Sequence, residues 1–439
     1  MWTQDDLAVA AAASVDPARW MSGFDELMGR IAPRFARVEP RRRAGAFLLG
    51  LLSGLPRVNC WTLAEHAGEA SPDGMQHLLA RASWDADAVR DDLREYVVEH
   101  LADPDAVLVV DETGDVKKGT TTVGVQRQYT GTAGRIENSQ VAVYLVYAGA
   151  GGHAFIDRAL YLPRSWMCDP ARLAEAGVPA EVEFATKPAL ARVMIARALD
   201  AGTPAAWVAG DEVYGNDPGL RTDLHERRIG YVLAVAKDHH VVTGIGKRRA
   251  VDLAVRLPTS AWQRHSCGPG AKGHRYYDWA LVDITVEAPG CHCLLIRRSR
   301  RTGELAFYRA YAPEAVPLST LVRVAGRRWA VEESFQTGKE LAALDEHQVR
   351  GWTSWHRWTT LAMLAHAFLS ITAAAERNRS PSQTGLIPLT RNEIRHLFIS
   401  LLIRPIRDAG HLLRWSRWRR RHQATAQASH YRRQAAQLA

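Results

Sequence analysis

Ala106-Val107-Leu108-Val109-Val110-Asp111-Glu112-Thr113-Gly114 is the stretch from which the architecture follows. Five apolar residues in a row read as a central strand buried on both faces. It ends in an acid just before a glycine turn, where α/β sheets place their ligands. Side chains alternate along a strand, so Asp111 and Glu112 are not expected to face the same site. A second stretch repeats the pattern: Ala205-Ala206-Trp207-Val208-Ala209-Gly210 leads into Asp211-Glu212-Val213-Tyr214-Gly215. A lone strand-end Asp is commonly a helix cap or turn residue, but two at corresponding places are harder to dismiss. Asn216 or Asp217 can cap the next helix, with Pro218 at its first position.

Between these strands, Lys117 and Lys118 sit in a loop, and segments 122–129, 140–147 and 154–162 alternate with Gly-rich turns as an antiparallel meander. Residues 187–201 have helical spacing, ended by Gly202-Thr203-Pro204, and 231–236 reads as a further strand. From about 241 to 318 the character changes to short strands around Gly/Pro turns, with Arg298, Arg300 and Arg301 in a basic cluster on a hairpin tip. This is a β-rich insertion. Upstream, residues 1–103 read as an all-helical domain. Within it, 59–68 and 71–79 form two short helices around a Gly turn, either a helix-turn-helix that enters a DNA groove or an ordinary helical pair.

Arg327-Arg328-Trp329-Ala330-Val331-Glu332-Glu333-Ser334-Phe335-Gln336-Thr337-Gly338-Lys339-Glu340 has the composition of a helix. At about 100° per residue, Arg328, Glu332, Phe335 and Lys339 share one stripe and Glu333 does not. Arg328 and Glu332 can be a plain i,i+4 surface pair. They also suit a metal-binding acid set among cations that hold a phosphate backbone. The uncharged helix that follows, 358–375, carries enough Thr, Ser and His to be a buried core helix rather than a membrane span, so no membrane partner is expected. The last segment, 401–439, is a basic tail whose interleaved Trp and Arg suit backbone contact and stacking, or simply solvent.

The formal charge of +9 over 439 residues favours a polyanionic partner. Asp5 and Asp6, with no basic n-region, exclude a signal peptide and point to the cytoplasm. Five scattered cysteines read as reduced thiols. Cys291-His292-Cys293 with His265 and Cys267 fits no zinc spacing, and a strand interior accounts for the cysteines.

Three carboxylates, Asp111 and Asp211 at strand ends and Glu332 on a later helix, can converge on a pair of Mg²⁺ ions. With these motifs in place the chain resembles the DDE transposases of bacterial insertion sequences, in particular the branch with a Tyr-Arg-Glu-Lys signature on the catalytic helix. The neighbouring Asp111-Glu-Thr-Gly, Lys118-Gly-Thr, Val123-Gly-Val, Arg127-Gln-Tyr129 and Asn138-Ser-Gln-Val141 are similar to one group of these proteins. The signature Tyr falls at Ala325, so its contribution is absent or comes from elsewhere. The resemblance implies an α/β protein with an RNase H-like core in two parts, 104–240 and 319–400, around the β insertion. It implies two Mg²⁺ ions, replaceable by Mn²⁺, held by Asp111, Asp211 and Glu332, with Arg328, Lys339, Lys117, Lys118, Arg298, Arg300 and Arg301 on DNA. It further implies cleavage at terminal inverted repeats, transfer into target DNA, a homodimer on paired ends, and residence in the bacterial cytoplasm with the nucleoid. A domesticated DNA-binding regulator and a non-transposing metal-dependent endonuclease are the alternatives.

Overall fold

Strand β1 (Val107–Val116) is the axis of the sheet, and Val107 to Val110 are fully buried, as an unbroken apolar run requires. The computed structural model describes residues 15–270, 273–379, 387–403 and 408–438; Asp5 and Asp6 lie outside them. The turn expected at Gly114 is instead strand, because β3 (Arg135–Ala148) is long enough to pair with β1 from Ala148 opposite Val107 to Ser139 opposite Val116. Gly114 serves close approach: a Cβ there would overlap the Thr130 side chain of β2 (Gln126–Thr130). On the other edge, β5 (Trp207–Gly210) runs parallel to β1 and stops with Gly210 opposite Val110. Asp111 is therefore the first residue of β1 beyond the end of that neighbour.

The sheet order is β2-β3-β1-β5-β6-β12-β11-β10-β9, with β4 (His153–Leu160) paired to β3 as the meander predicts. β6 (Gly230–Val235) is parallel to β5. After a small hairpin of β7 (His240–Thr243) and β8 (Gly246–Arg249), the chain adds β9 (Gln263–Gly270), β10 (Gly273–Asp283), β11 (Cys291–Arg298) and β12 (Leu305–Ala312). β12 pairs antiparallel with β6, so these strands extend the same mixed sheet rather than standing apart from it.

The chain divides into two compact units. One holds the described residues up to Ala86, Lys339–Val349 and those from Thr353 onward; the other holds Asp87–Gly338 and Arg350–Trp352. The first begins with helices α1 (Pro17–Ile31), α2 (Val38–Leu52), α3 (Cys60–His66) and α4 (Asp73–Ala80). Asn59 and Thr62 close a reciprocal capping box at the start of α3, which is why so short a helix starts sharply.

The sheet-bearing unit adds α5 (Ala86–Leu101), α6 (Lys187–Asp200), the single turn α7 (Glu212–Gly215), α8 (Pro218–Glu226), α9 (Ala250–Arg256), α10 (Leu318–Arg327) and α11 (Trp329–Ala342). α6 packs on β1, β3 and β4, and α10 on β1, β5, β6 and β9. The stretch read as one helix from 327 is thus the junction of two, with Arg328 at the joint in helical conformation. Phe335 fixes α11 to the sheet, its ring 5.5 Å from Tyr144 on β3 and 5.7 Å from Phe155 on β4.

The first unit is completed by α12 (Trp352–Arg379), α13 (Arg391–Leu402) and α14 (Ala409–Leu438). α12 is apolar and long enough to cross a membrane, yet 94% of its most apolar window is buried in the protein. Its buried Arg357 is satisfied by the carbonyls of Leu78, Leu79, Ala82 and Trp84. The tryptophans of the basic tail face inward, while Tyr431 is exposed: Trp415 is buried and donates to the Glu69 carbonyl, and the Trp418 ring meets Trp61 edge-on at 4.8 Å. They seat α14 on α3 instead of offering faces to nucleic acid, while Arg417, Arg420 and Arg421 keep partial or full exposure.

Candidate active site

Asp111 and Asp211 come together because two parallel strands end side by side. The Asp211 carboxylate caps α7, accepting from the Val213 N–H at 2.9 Å, and so turns the chain directly off β5. Gly215 lets that turn lie against β6, since a Cβ there would overlap the Ala234 carbonyl. Burial, and after it the charge of Asp211, pushes Asp111 up to about 7. Asp211 is raised as well, by burial and then by Glu112.

Arg328 joins this pair to the helix. Its guanidinium donates to Asp111 Oδ2 at 3.3 Å and to Glu332 Oε1 at 2.6 Å, and it attracts Asp211 electrostatically. The i,i+4 spacing brings Glu332 to Arg328, and the 217-residue separation from Asp111 shows that the pair is more than a local surface bridge. The three carboxyls do not converge directly. Among the described residues no three His, Cys, Asp or Glu side chains group closely enough to hold a metal ion, and the guanidinium stands between Asp111 and Glu332 as their counter-ion. Tyr308 on β12 has its hydroxyl within electrostatic reach of Arg328.

Glu333 belongs to other surroundings. It pairs with His153 Nε2 at 3.1 Å, while His153 Nδ1 meets the buried Ser334 hydroxyl at 2.7 Å. It also lines a cavity of about 600 Å³ together with Trp329, Arg275, Arg323 and Arg327.

The remaining expected DNA-binding residues are dispersed. Lys339 lies in the last turn of α11, beyond the point where the chain passes to the other unit. Lys117 and Lys118 follow β1, with Asn138 holding the Lys117 carbonyl and Lys118 exposed. Arg298 and Arg300 both reach Asp278, at 3.2 and 3.5 Å, and Arg298 also stacks on Trp262. Arg301, the last of that trio, is exposed in the turn between β11 and β12. Cys267 and Cys293 are buried in β9 and β11 and Cys291 is exposed.

Sequence reasoning does not single out Glu112, Lys187 or Tyr214. Glu112 accepts from Lys187 Nζ and from Tyr214 Oη, each at 2.6 Å. The doublet Asp111-Glu112 and the Tyr three residues after Asp211 are the signals that point to them.

Comparison with known proteins follows the same lines. The sequence model described as DDE superfamily endonuclease matches residues 30–279, which include Asp111 and Asp211 and stop short of Glu332. A probable transposase for insertion sequence element IS701 from Microchaete diplosiphon is 30% identical over 196 residues, 44% of this chain and 48% of that protein, so the match spans about half of the relative's length. Among solved structures, a piggyBac transposase synaptic complex with hairpin DNA aligns over 88% of this chain and 80% of its own, at 13% identity and a TM-score of 0.41. The chain belongs to the DDE superfamily endonucleases.

Proposed function

We propose that this protein is a transposase that cuts DNA at the terminal inverted repeats of an insertion sequence and joins the freed end to target DNA. The observation that carries the reading is the placement of Asp111 and Asp211 beside each other at the ends of two parallel strands, with Arg328 linking them to Glu332 on a packed helix. The order β4-β3-β1-β5-β6, antiparallel on one side of β1 and parallel on the other, supports an RNase H-like core extended by the β9–β12 strands.

The residues suit divalent cations. They offer hard carboxylate oxygens, and both aspartates are raised first by burial and then by a neighbouring carboxylate, an environment that a bound cation would relieve. Asp111, Asp211 and Glu332 would hold Mg²⁺, two ions in our reading, with Mn²⁺ able to substitute. Bound there, the ions would supply Lewis acidity at the scissile phosphate and favour the ionised form of the attacking water or 3′-hydroxyl. The chain's own part is orientation. The two bonds of Arg328 use two of its five N–H groups, so the rest can hold a phosphate oxygen of the cleaved strand. Lys339, Lys117, Lys118 and Arg301 supply backbone contacts in this reading, and Arg298 and Arg300 do so once released from Asp278. Phe335 keeps α11 seated against the sheet, which holds Glu332 beside Arg328. A homodimer on paired ends, in the bacterial cytoplasm with the nucleoid, completes the proposal.

The test is purified protein with Mg²⁺ and labelled DNA carrying the inverted repeats that flank the gene, scored for nicking and joining. Both products are expected. Nicking without joining would favour a plain endonuclease, and binding without nicking a DNA-binding regulator.

A further inference from the structure

Glu112 is not among the carboxylates assigned to the cations, although it adjoins Asp111. Neighbouring residues of a strand face opposite ways, and Glu112 turns toward α6 and α7. Its side chain is only 18% exposed, and both oxygens are engaged: Oε1 by Lys187 Nζ and Oε2 by Tyr214 Oη. Each donor sits at a fixed point. Lys187 is the first residue of α6, behind the capping Thr186, and Tyr214 is fully buried in α7, three residues after Asp211.

α7 is a single turn and cannot hold its shape alone, since one turn orders several residues for one hydrogen bond. β5 has already ended, so no strand partner restrains the segment. Its restraints are the fit of Gly215 under Ala234, the Arg221 guanidinium on the Gly215 carbonyl at 2.6 Å and the phenol of Tyr214 on Glu112, and of these the Glu112 contact is the one that ties it to β1. We propose that Glu112 is a positioning residue, whose carboxylate clasps α7 to β1 and thereby sets the separation of Asp111 and Asp211 for a shared divalent cation. Both bonds are short and charge-assisted, the kind that fixes geometry best. A neutral amide could accept the same two hydrogen bonds, yet the tie is made with a carboxylate next to Asp111. That charge makes sense beside a cation site, where it deepens the negative potential. Lys187 balances it in part from the far side.

This inference rests on the cation-binding reading of the two aspartates. Its test compares wild type, Glu112→Gln, Glu112→Ala and Tyr214→Phe by calorimetric Mn²⁺ titration of the metal-free protein, by affinity for inverted-repeat DNA, and by kcat and KM for cleavage, each at matched folding by circular dichroism. Glu112→Ala should weaken Mn²⁺ binding at least about tenfold and lower kcat at least about a hundredfold, with KM and DNA affinity unchanged. Glu112→Gln, which can still accept from Tyr214, should recover part of both, and Tyr214→Phe should fall between wild type and Glu112→Ala. Wild-type Mn²⁺ affinity and kcat in a folded Glu112→Ala protein overturns the clasp. So does a loss of kcat that disappears on cooling, which would mark a merely structural tie. If Glu112→Ala does not fold, Tyr214→Phe decides, and wild-type Mn²⁺ affinity there overturns the proposal. A wild-type chain that binds Mn²⁺ but cuts no DNA overturns the transposase reading and leaves the clasp to the Mn²⁺ affinities; one that binds no Mn²⁺ overturns both.

Discussion

Glu332 and Glu333 are adjacent and chemically identical, and one helical step separates their surroundings. Glu332 meets Arg328 and through it Asp111, whereas Glu333 meets His153. Glu332→Gln keeps shape and helix propensity while removing the charge, so cleavage should fall at least about a hundredfold with DNA binding retained. Glu333→Gln should stay within a few-fold of wild type. A side-by-side cleavage assay decides, and the reverse result would strip Arg328 and Glu332 of their proposed parts in cleavage. Asp111 makes a second prediction. Its pKa stands near 7 in the folded protein against 3.8 for an unperturbed carboxyl. Between those values the folded chain binds more protons than the unfolded one, so stability falls as pH rises through that window and levels off above about 7. The loss is on the order of 4 kcal/mol. Thermal unfolding of the metal-free protein from about pH 5 to 8 should show a falling Tm that Asp111→Asn flattens; a flat wild-type profile would mean that Asp111 is ionised throughout.

At the scale of elements, local pattern reveals what local physics determines. The apolar run of β1, the meander, α6 and the cap of α8 by Asp217 are legible in composition and spacing. Gly114 is not, because a glycine that permits a turn and one that permits two strands to approach look alike in sequence, and only Thr130 across the sheet tells them apart. The side chains that engage Glu112 and Arg298 are equally hidden, since Lys187 lies 75 residues from the first and Asp278 lies 20 from the second. The spacing of Arg328 and Glu332 is readable; that the guanidinium also reaches Asp111 is not. One element-to-element tie is sharply testable. Asp157 on β4, 3% exposed, accepts from Arg90 of α5 at 3.0 Å and Arg197 of α6 at 2.8 Å. Asp157→Ala leaves the buried Arg90 guanidinium with Asp91 at 3.0 Å and Asp87 at 3.7 Å but removes its buried partner, and should cost about 1–3 kcal/mol, read as a lowered urea midpoint. A change below about 1 kcal/mol would mean that solvent reaches Arg90.

At the scale of the whole molecule, the charge of +9 is unevenly held. α14 carries seven arginines and no acid, and its two tryptophans are spent on packing the helix down. Arg417, Arg420 and Arg421 are therefore candidates for phosphate binding, without sequence preference. Their joint replacement by Ala should weaken binding to specific and random duplexes alike, and reduce the salt slope of log K by about 0.9 for each phosphate no longer neutralised. Trp415→Ala should instead lower Tm, because it unseats the helix. An unchanged slope in the triple variant would leave the tail with a structural role alone.

Arg328 also bears on how the chain is made. The guanidinium that neutralises Asp111 is 217 residues downstream of it. At about 5–20 residues per second, a ribosome needs roughly ten to forty seconds to deliver it after the aspartate has been synthesised. Any part of the sheet that forms in that interval holds Asp111 without this counter-ion, a place that a proton or a free cation can take.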